Sequence, residues 1–222
     1  MCSRENGWGI TSWTNPQDYG LSITLGGADV TMMDLATVYS TVANAGKRID
    51  PDPILEVKDS FGNILYQKSP QESQVLDPGV AFIIGDILSD NKARSIEFGV
   101  NSPLNIPNHR VSVKTGTTDN KRDNWTVGFT PNIVVTTWVG NNDNSPMSQA
   151  LASGITGAAP MWNKIMTNIL KKRPEGLTLP PDDLVKKPCF GFDMYFLKGT
   201  EATACALPPS PSPSAPATAL AQ

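Results

Sequence analysis

The chain is poor in the residues that most catalytic sites are built from. It has one histidine, His109, and three cysteines in 222 residues. No Cys/His cluster stands at metal-ligand spacing, and a Ser-His-Asp triad would depend on a single imidazole. Charge of one sign is also scarce. Eighteen basic against 21 acidic side chains give a formal net charge of -3 with no long run of either. That excludes the basic stripe by which proteins hold nucleic acid. No apolar run approaches the roughly 20 residues of a membrane span, and the opening MCSRENGWGI lacks the apolar stretch of a signal peptide. The sequence runs straight into WGITSWTNPQDYG with no capped element before it, so the expectation is a chain that starts inside a domain.

What is present is a soluble globular composition, with 39% apolar and 18% charged residues. Eighteen glycines and 19 prolines predict abundant loops. Helical spacing of Met32, Leu35, Ala36, Tyr39, Val42 and Ala43 predicts an amphipathic helix over 31–46, with Thr31 as N-cap and Gly46 as its stop. ILEV and ILY on either side of DSFGN read as a hairpin. Residues 77–90 predict a buried helix with Pro78 in its first turn. The stretch 91–107 reads as irregular.

At VSVKTGTT the pattern changes to strands. Val111 and Val113 alternate with Ser112 and Lys114, and WTVGFT and IVVTTWVG flank Pro131-Asn132, so three successive antiparallel strands are expected. A closing helix is predicted over 159–172, carrying Met161, Trp162, Ile165, Ile169 and Leu170 on one side. Beyond Pro174 order is expected to fade. Residues 206–222 hold no charge, five prolines and three serines, a composition unsuited to a core. No internal repeat is visible, and the overall class is α+β, an antiparallel sheet flanked by helices.

The sharpest chemical feature is Lys114-Thr115-Gly116-Thr117-Thr118 on the first of those strands. A lysine and hydroxyls on a strand edge can grip a carboxylate, and a glycine lets a substrate backbone approach closely. The backbone N–H that follows can face a developing oxyanion. Taken alone the triplet also fits an exposed strand with a bulge glycine.

Together with its surroundings the motif resembles a known family. DYGLSITLGGADVTMMDLATVYSTVANAG, ILSDNKAR, VKTGTTDNKRDNWTVGFTPNIVVTTWVGNND and SGITGAAPMWNKIM are similar, in that order, to the C-terminal part of the transpeptidase domain of class A, bifunctional penicillin-binding proteins. The similarity covers about residues 18–173. Lys-Thr-Gly is one of that family's signature triplets. The resemblance implies a serine transpeptidase, β-lactamase-like fold, incomplete at its N-terminus. It also implies acyl transfer from D-Ala-D-Ala stem peptides through a serine acyl-enzyme, the reaction that cross-links peptidoglycan and that β-lactams intercept. No metal or organic cofactor is expected.

Residue by residue, the resemblance makes Lys114 a source of positive field and proton traffic. Thr115 and Thr117 become holders of the substrate's terminal carboxylate, Gly116 the clearance and the Thr117 N–H half of an oxyanion hole. Lys114 and Thr117 are thus the expected catalytic residues, and Thr115, Gly116, Thr117 and Thr118 the substrate-binding ones. The nucleophilic serine and its lysine are expected upstream of Met1, together with a glycosyltransferase part and a membrane anchor. The parent protein would then sit on the extracytoplasmic face of the bacterial cytoplasmic membrane.

Ser89-Asp90-Asn91-Lys92 matches both remaining family motifs at once, but one serine cannot fill both roles, and it stands too close before Lys114. It reads as a helix C-terminal turn. His109 reads as a loop residue, Asp119, Lys121, Arg122 and Asp123 as a charged turn beside the motif, and Trp125, Trp138 and Trp162 as packing. In the oxidising compartment that the family implies, Cys189 and Cys205 could pair and leave Cys2 over. The expected organisation is 1–173 transpeptidase portion, 174–205 extension, possibly closed by that disulfide, and 206–222 disordered tail. Two alternatives stay open: a non-catalytic remnant or binding module for peptidoglycan or β-lactam, and a serine β-lactamase or DD-carboxypeptidase.

Overall fold

A computed structural model describes residues 7–13, 19–21, 23, 26–148, 153–173, 176, 178–201 and 205. Cys2 and the 206–222 tail lie outside the described residues. The chain forms two compact units, Met1–Pro181 and Asp182–Gln222.

The first unit is built on an antiparallel sheet of three strands, β5 (Ser112–Thr117), β6 (Asp123–Thr130) and β7 (Ile133–Gly140), in the order β5-β6-β7. Strict alternation divides the sheet's side chains between two faces. One face carries Val113 and Val135, which join Trp162, Met166 and Leu170 of α4 (Ala158–Leu170) in the main core with Leu104, Ile106 and Val111. The opposite face carries Ser112 and Phe129. It meets α1 (Met32–Ala43) through Tyr39, whose ring lies 5.9 Å from that of Phe129. It meets α2 (Pro78–Ser89) through the Ser112 hydroxyl, which donates to the Gly85 carbonyl at 2.7 Å. Burial raises the Tyr39 phenol pKa above its ordinary value. The sheet is therefore a middle layer between α4 and the α1/α2 pair.

The three helices expected from spacing are present, and α1 and α2 begin as predicted: the Thr31 hydroxyl accepts from the Asp34 N–H at 3.0 Å, and Pro78 opens α2. The buried face of α1 departs from expectation. Asp34, Thr37 and Thr41 are buried beside Val42, while Met32 is 44% exposed. Local hydrogen bonds make this tolerable: Thr37 and Thr41 donate to the carbonyls of Met33 and Thr37, and Asp34 accepts from the N–H and hydroxyl of Thr11. Helix α2 is likewise buried only along Gly79, Ala81 and Phe82, and Ile87 is 60% exposed. The expectation of a buried helix is corrected to a one-sided one.

Two segments expected to be irregular are ordered. Residues Asn91–Phe98 form α3, which lacks any buried side chain. It is held by its ends: the Asp90 carboxylate accepts from the Ala93 N–H at 3.0 Å, and Gly99, at φ 77°, closes the last turn. Without an apolar stripe it is invisible to periodicity. In the second unit, β8 (Leu184–Cys189) and β9 (Phe192–Leu197) form a hairpin where order was expected to fade. Its two-residue turn, Phe190-Gly191, has φ of 51° and 84°, the geometry that right-twisted hairpins prefer. Phenylalanine is an unusual occupant there, so the sequence carries no turn signal at this point. Cys189 pairs with Cys205, as the extracytoplasmic expectation allowed.

The DSFGN hairpin is present as β2 (Glu56–Lys58) and β3 (Ile64–Gln67). Near it, β1 (Lys47–Ile49) and β4 (Glu72–Gln74) form a second short pair. Gly46, at φ 82°, is required here, because a Cβ would lie 2.0 Å from the Leu76 carbonyl oxygen.

Candidate active site

Lys114-Thr115-Gly116-Thr117 occupies most of β5, and no strand pairs with the outer side of β5 among the described residues. The Thr118 N–H donates across to the Asp123 carbonyl at 3.1 Å. Alternation along an antiparallel strand then directs the N–H and C=O groups of Thr115 and Thr117 away from β6, to the open edge. The Lys114 ammonium lies on that edge too, donating to the Thr115 carbonyl at 2.5 Å. The lysine is exposed, and among the described residues it makes no ion pair.

The side chains leave the strand on two faces. Lys114 and Gly116 share the α1/α2 face with Trp125, which stands opposite Gly116 in register. A Cβ on Gly116 would meet Trp125 Cβ at 3.5 Å, an ordinary contact. Among the described residues there is room for a methyl group there, so close packing is not the reason for glycine. Thr115 and Thr117 face the α4 side, where the turn preceding α4 lies over them. The Gly154 N–H donates to the Thr117 hydroxyl oxygen at 2.9 Å.

Asp123, which the sequence presents only as part of a charged turn, organises the end of the motif. One carboxylate oxygen accepts from the Thr118 hydroxyl at 2.9 Å, and the other accepts from the Trp138 indole N–H at 2.9 Å. The Thr118 hydroxyl oxygen in turn accepts from the Asp123 N–H at 2.9 Å. The rest of the turn behaves as expected, as a short 3-10 segment at Asp119–Lys121, and Arg122 donates to the Asn144 carbonyl at 2.7 Å. Trp125 and Trp138 stack obliquely, with ring centroids 6.3 Å apart, and Trp162 is wholly buried. All three are packing residues.

Ser89 is the last residue of α2. Its hydroxyl donates to the Asp86 carbonyl at 2.8 Å and accepts from Arg110 Nε at 2.9 Å, while Arg110 Nη2 pairs with the Asp86 carboxylate. This cluster lines a cavity of about 170 Å³ shared with Val42, Phe82 and Phe129, which does not include Lys114–Thr117 among its walls. His109 is half-buried, and its N–H closes a turn onto the Ile106 carbonyl at 3.1 Å. Among the described residues no group of three His, Cys, Asp or Glu side chains could hold a metal, and no helix is long and apolar enough to cross a membrane.

Comparison with known proteins places this geometry. The family model described as the penicillin binding protein transpeptidase domain matches residues 4–167. The chain is 32% identical over 192 residues to penicillin-binding protein 1A of Aquifex aeolicus, with 81% of this chain and 26% of that protein covered. It is 32% identical over 175 residues to penicillin-binding protein 1B of Vibrio cholerae, with 77% and 21% covered. The crystal structure of penicillin-binding protein 1A from Haemophilus influenzae superposes with a TM-score of 0.72 at 25% identity, covering 87% of this chain and 35% of that one. PonA1 of Mycobacterium tuberculosis in complex with penicillin V shares the fold, with a TM-score of 0.64 at 23% identity over 78% of this chain and 50% of that one. The chain thus spans about a quarter of the length of such relatives.

Proposed function

The chain belongs to the penicillin-binding protein transpeptidase family, in its class A branch, and from that premise we propose that it contributes one wall of a DD-transpeptidase active site. The reaction is acyl transfer. A serine attacks the penultimate D-Ala carbonyl of a stem peptide, the last D-Ala leaves, and an amine of a second stem takes the acyl group. The serine and its partner lysine come from residues outside this sequence.

One observation carries the reading: the N–H groups of Thr115 and Thr117 face a strand edge that no other strand pairs with among the described residues, and the Lys114 ammonium lies on it too. An extended peptide can lie along such an edge. The Thr117 N–H then faces the carbonyl oxygen as it gains charge, Lys114 supplies positive field, and the hydroxyls of Thr115 and Thr117 serve the terminal carboxylate, while Thr118, whose hydroxyl proton goes to Asp123, bounds the site. Gly116 adds no side chain to that path, which accounts for a glycine that the fold itself does not need. Peptidoglycan stems and β-lactams are the ligands, and the extracytoplasmic face of the membrane is the working location. Residues 1–173 form the transpeptidase portion, 174–205 an extension and 206–222 a tail.

The rival is a binding module without its own nucleophile. It is favoured by Ser89, whose hydroxyl is engaged by Asp86 and Arg110. Labelling with a fluorescent penicillin separates the cases. The 222-residue chain is expected to stay unlabelled, a form extended upstream along its reading frame to take the label, and Lys114→Ala to abolish it there. Covalent labelling of the chain itself at Ser89 would overturn the proposal, and an unlabelled extended form would favour the binding module.

A further inference from the structure

The SGITG turn before α4 belongs to the segments that resemble the family and stands apart from the Lys-Thr-Gly motif in sequence. It lies against the motif strand. The Gly154 N–H donates to the Thr117 hydroxyl oxygen at 2.9 Å, across 37 positions of sequence. Only glycine can deliver that N–H. A Cβ at Gly154 would stand 2.8 Å from the Trp125 carbonyl oxygen, 3.0 Å from that of Gly116 and 3.1 Å from Thr115 Cβ.

The glycine is itself fixed from behind. Its carbonyl accepts from the Ala159 N–H at 2.9 Å and from the Thr126 hydroxyl at 3.4 Å. Ala159 and Trp162, one turn further along α4, are wholly buried in the core. Through this chain of contacts the position of the Thr117 oxygen is referred to the rigid interior rather than to an exposed strand.

A threonine hydroxyl has one proton to give and two lone pairs to share. Gly154 takes one lone pair, and among the described residues the Thr117 proton has no acceptor. Receiving an N–H bond also makes the hydroxyl a better donor. We propose that Gly154 is a positioning residue whose N–H locks the Thr117 hydroxyl, so that its proton is presented at the open edge of β5 to the terminal carboxylate of the ligand. This rests on the reading of β5 as the carboxylate-binding strand.

The test is a titration of the isotopically labelled 222-residue chain, followed by amide NMR, with N-acetyl-D-alanyl-D-alanine and with its C-terminal amide. In the unmodified chain the acid is expected to shift the Thr115 and Thr117 amides and to move the Gly154 amide proton downfield, since donation by the hydroxyl strengthens the bond it receives. The neutral amide should leave Gly154 unmoved. Gly154→Ala and the isosteric Thr117→Val should each lose the preference for acid over amide, with affinity for the acid at least about fivefold weaker. Thr117→Ser should retain both. Should Gly154→Ala misfold, Thr117→Val and the Gly154 shift decide. Perturbation of β5 by the acid with preference intact in Thr117→Val, or with Gly154 unmoved, overturns the positioning role and leaves the strand reading standing. No perturbation of β5 by the acid overturns both.

Discussion

Gly128 and Trp162 are fitted to one another. A Cβ on Gly128 would stand 2.2 Å from Trp162 Cζ2 and 2.7 Å from Cε2, so the indole of α4 lies directly on the backbone of the central strand β6. This contact sets how closely α4, and with it the turn that reaches Thr117, approaches the sheet.

Gly128→Ala is therefore expected to destabilise the first unit by about 1–3 kcal/mol through overpacking. Trp162→Ala should cost about 3–5 kcal/mol through the cavity it leaves. In a Trp162→Leu background the Gly128→Ala penalty should shrink, because the two side chains compete for one space. Urea denaturation of the single and double variants measures the coupling, and additive costs would refute it.

Asp123→Ala removes the acceptor of both the Thr118 hydroxyl and the Trp138 indole N–H. Leaving part-buried donors unmet costs about 1–3 kcal/mol. Exchange of the Trp138 indole proton should accelerate, and the amides at the Thr118 end of β5 should lose protection before those at Ser112. Unchanged exchange would show that the carboxylate does not hold the strand end.

The β2–β3 hairpin should loosen in acid. Hydrogen bonds from the Asn63 side chain and backbone, and from the Phe61 N–H, hold the Asp59 carboxyl below its ordinary value. Asp52 is held low by the Ile54 N–H and by Lys68. A depressed pKa in the folded state means that this stabilisation is complete above the unfolded value, 3.8, and lost as pH falls through the lower folded one. Hairpin amide signals should thus hold steady from about pH 7 to pH 5 and broaden only below about 4. Broadening near neutrality would point to another cause. The hairpin is exposed along both strands, so little packing compensates.

Reduction should act on the second unit. Cys189 and Cys205 close a loop across a separation of 16 positions, a constraint worth about 3 kcal/mol on the chain-entropy estimate. Thiol titration of protein from an oxidising compartment is expected to find one free thiol before reductant and three after, and proteolysis within 184–205 should accelerate on reduction. Three free thiols at the outset would contradict the pairing.

Much of this was legible in the chain. The caps Thr31 and Pro78, the helices α2 and α4 and the alternation through β5, β6 and β7 all show in the sequence, because each arises from neighbours within one or two turns or along one strand. The buried side of α4 does not: Met161 and Ile165, expected on it, are 42% and 40% exposed, while Met166 is wholly buried. The motif itself was readable as Lys114 to Thr118. Helix α3 was not, since it carries no apolar stripe: Asp90 and Gly99 fix its ends, and its last residue, Phe98, is the one that packs against the core. The buried polar stripe of α1 was not either, because Asp34 is matched by Thr11, a residue 23 positions away.

By itself, then, the sequence determined the local elements, the family and the strand that carries the chemistry. Period-two alternation says that Lys114 and Thr117 leave β5 on opposite faces, but not what covers each face. Only the tertiary structure decided that Asp123 joins Thr118 to Trp138 and that Gly154 reaches Thr117. Those are matters of which distant segments share a surface, and no local spacing encodes them.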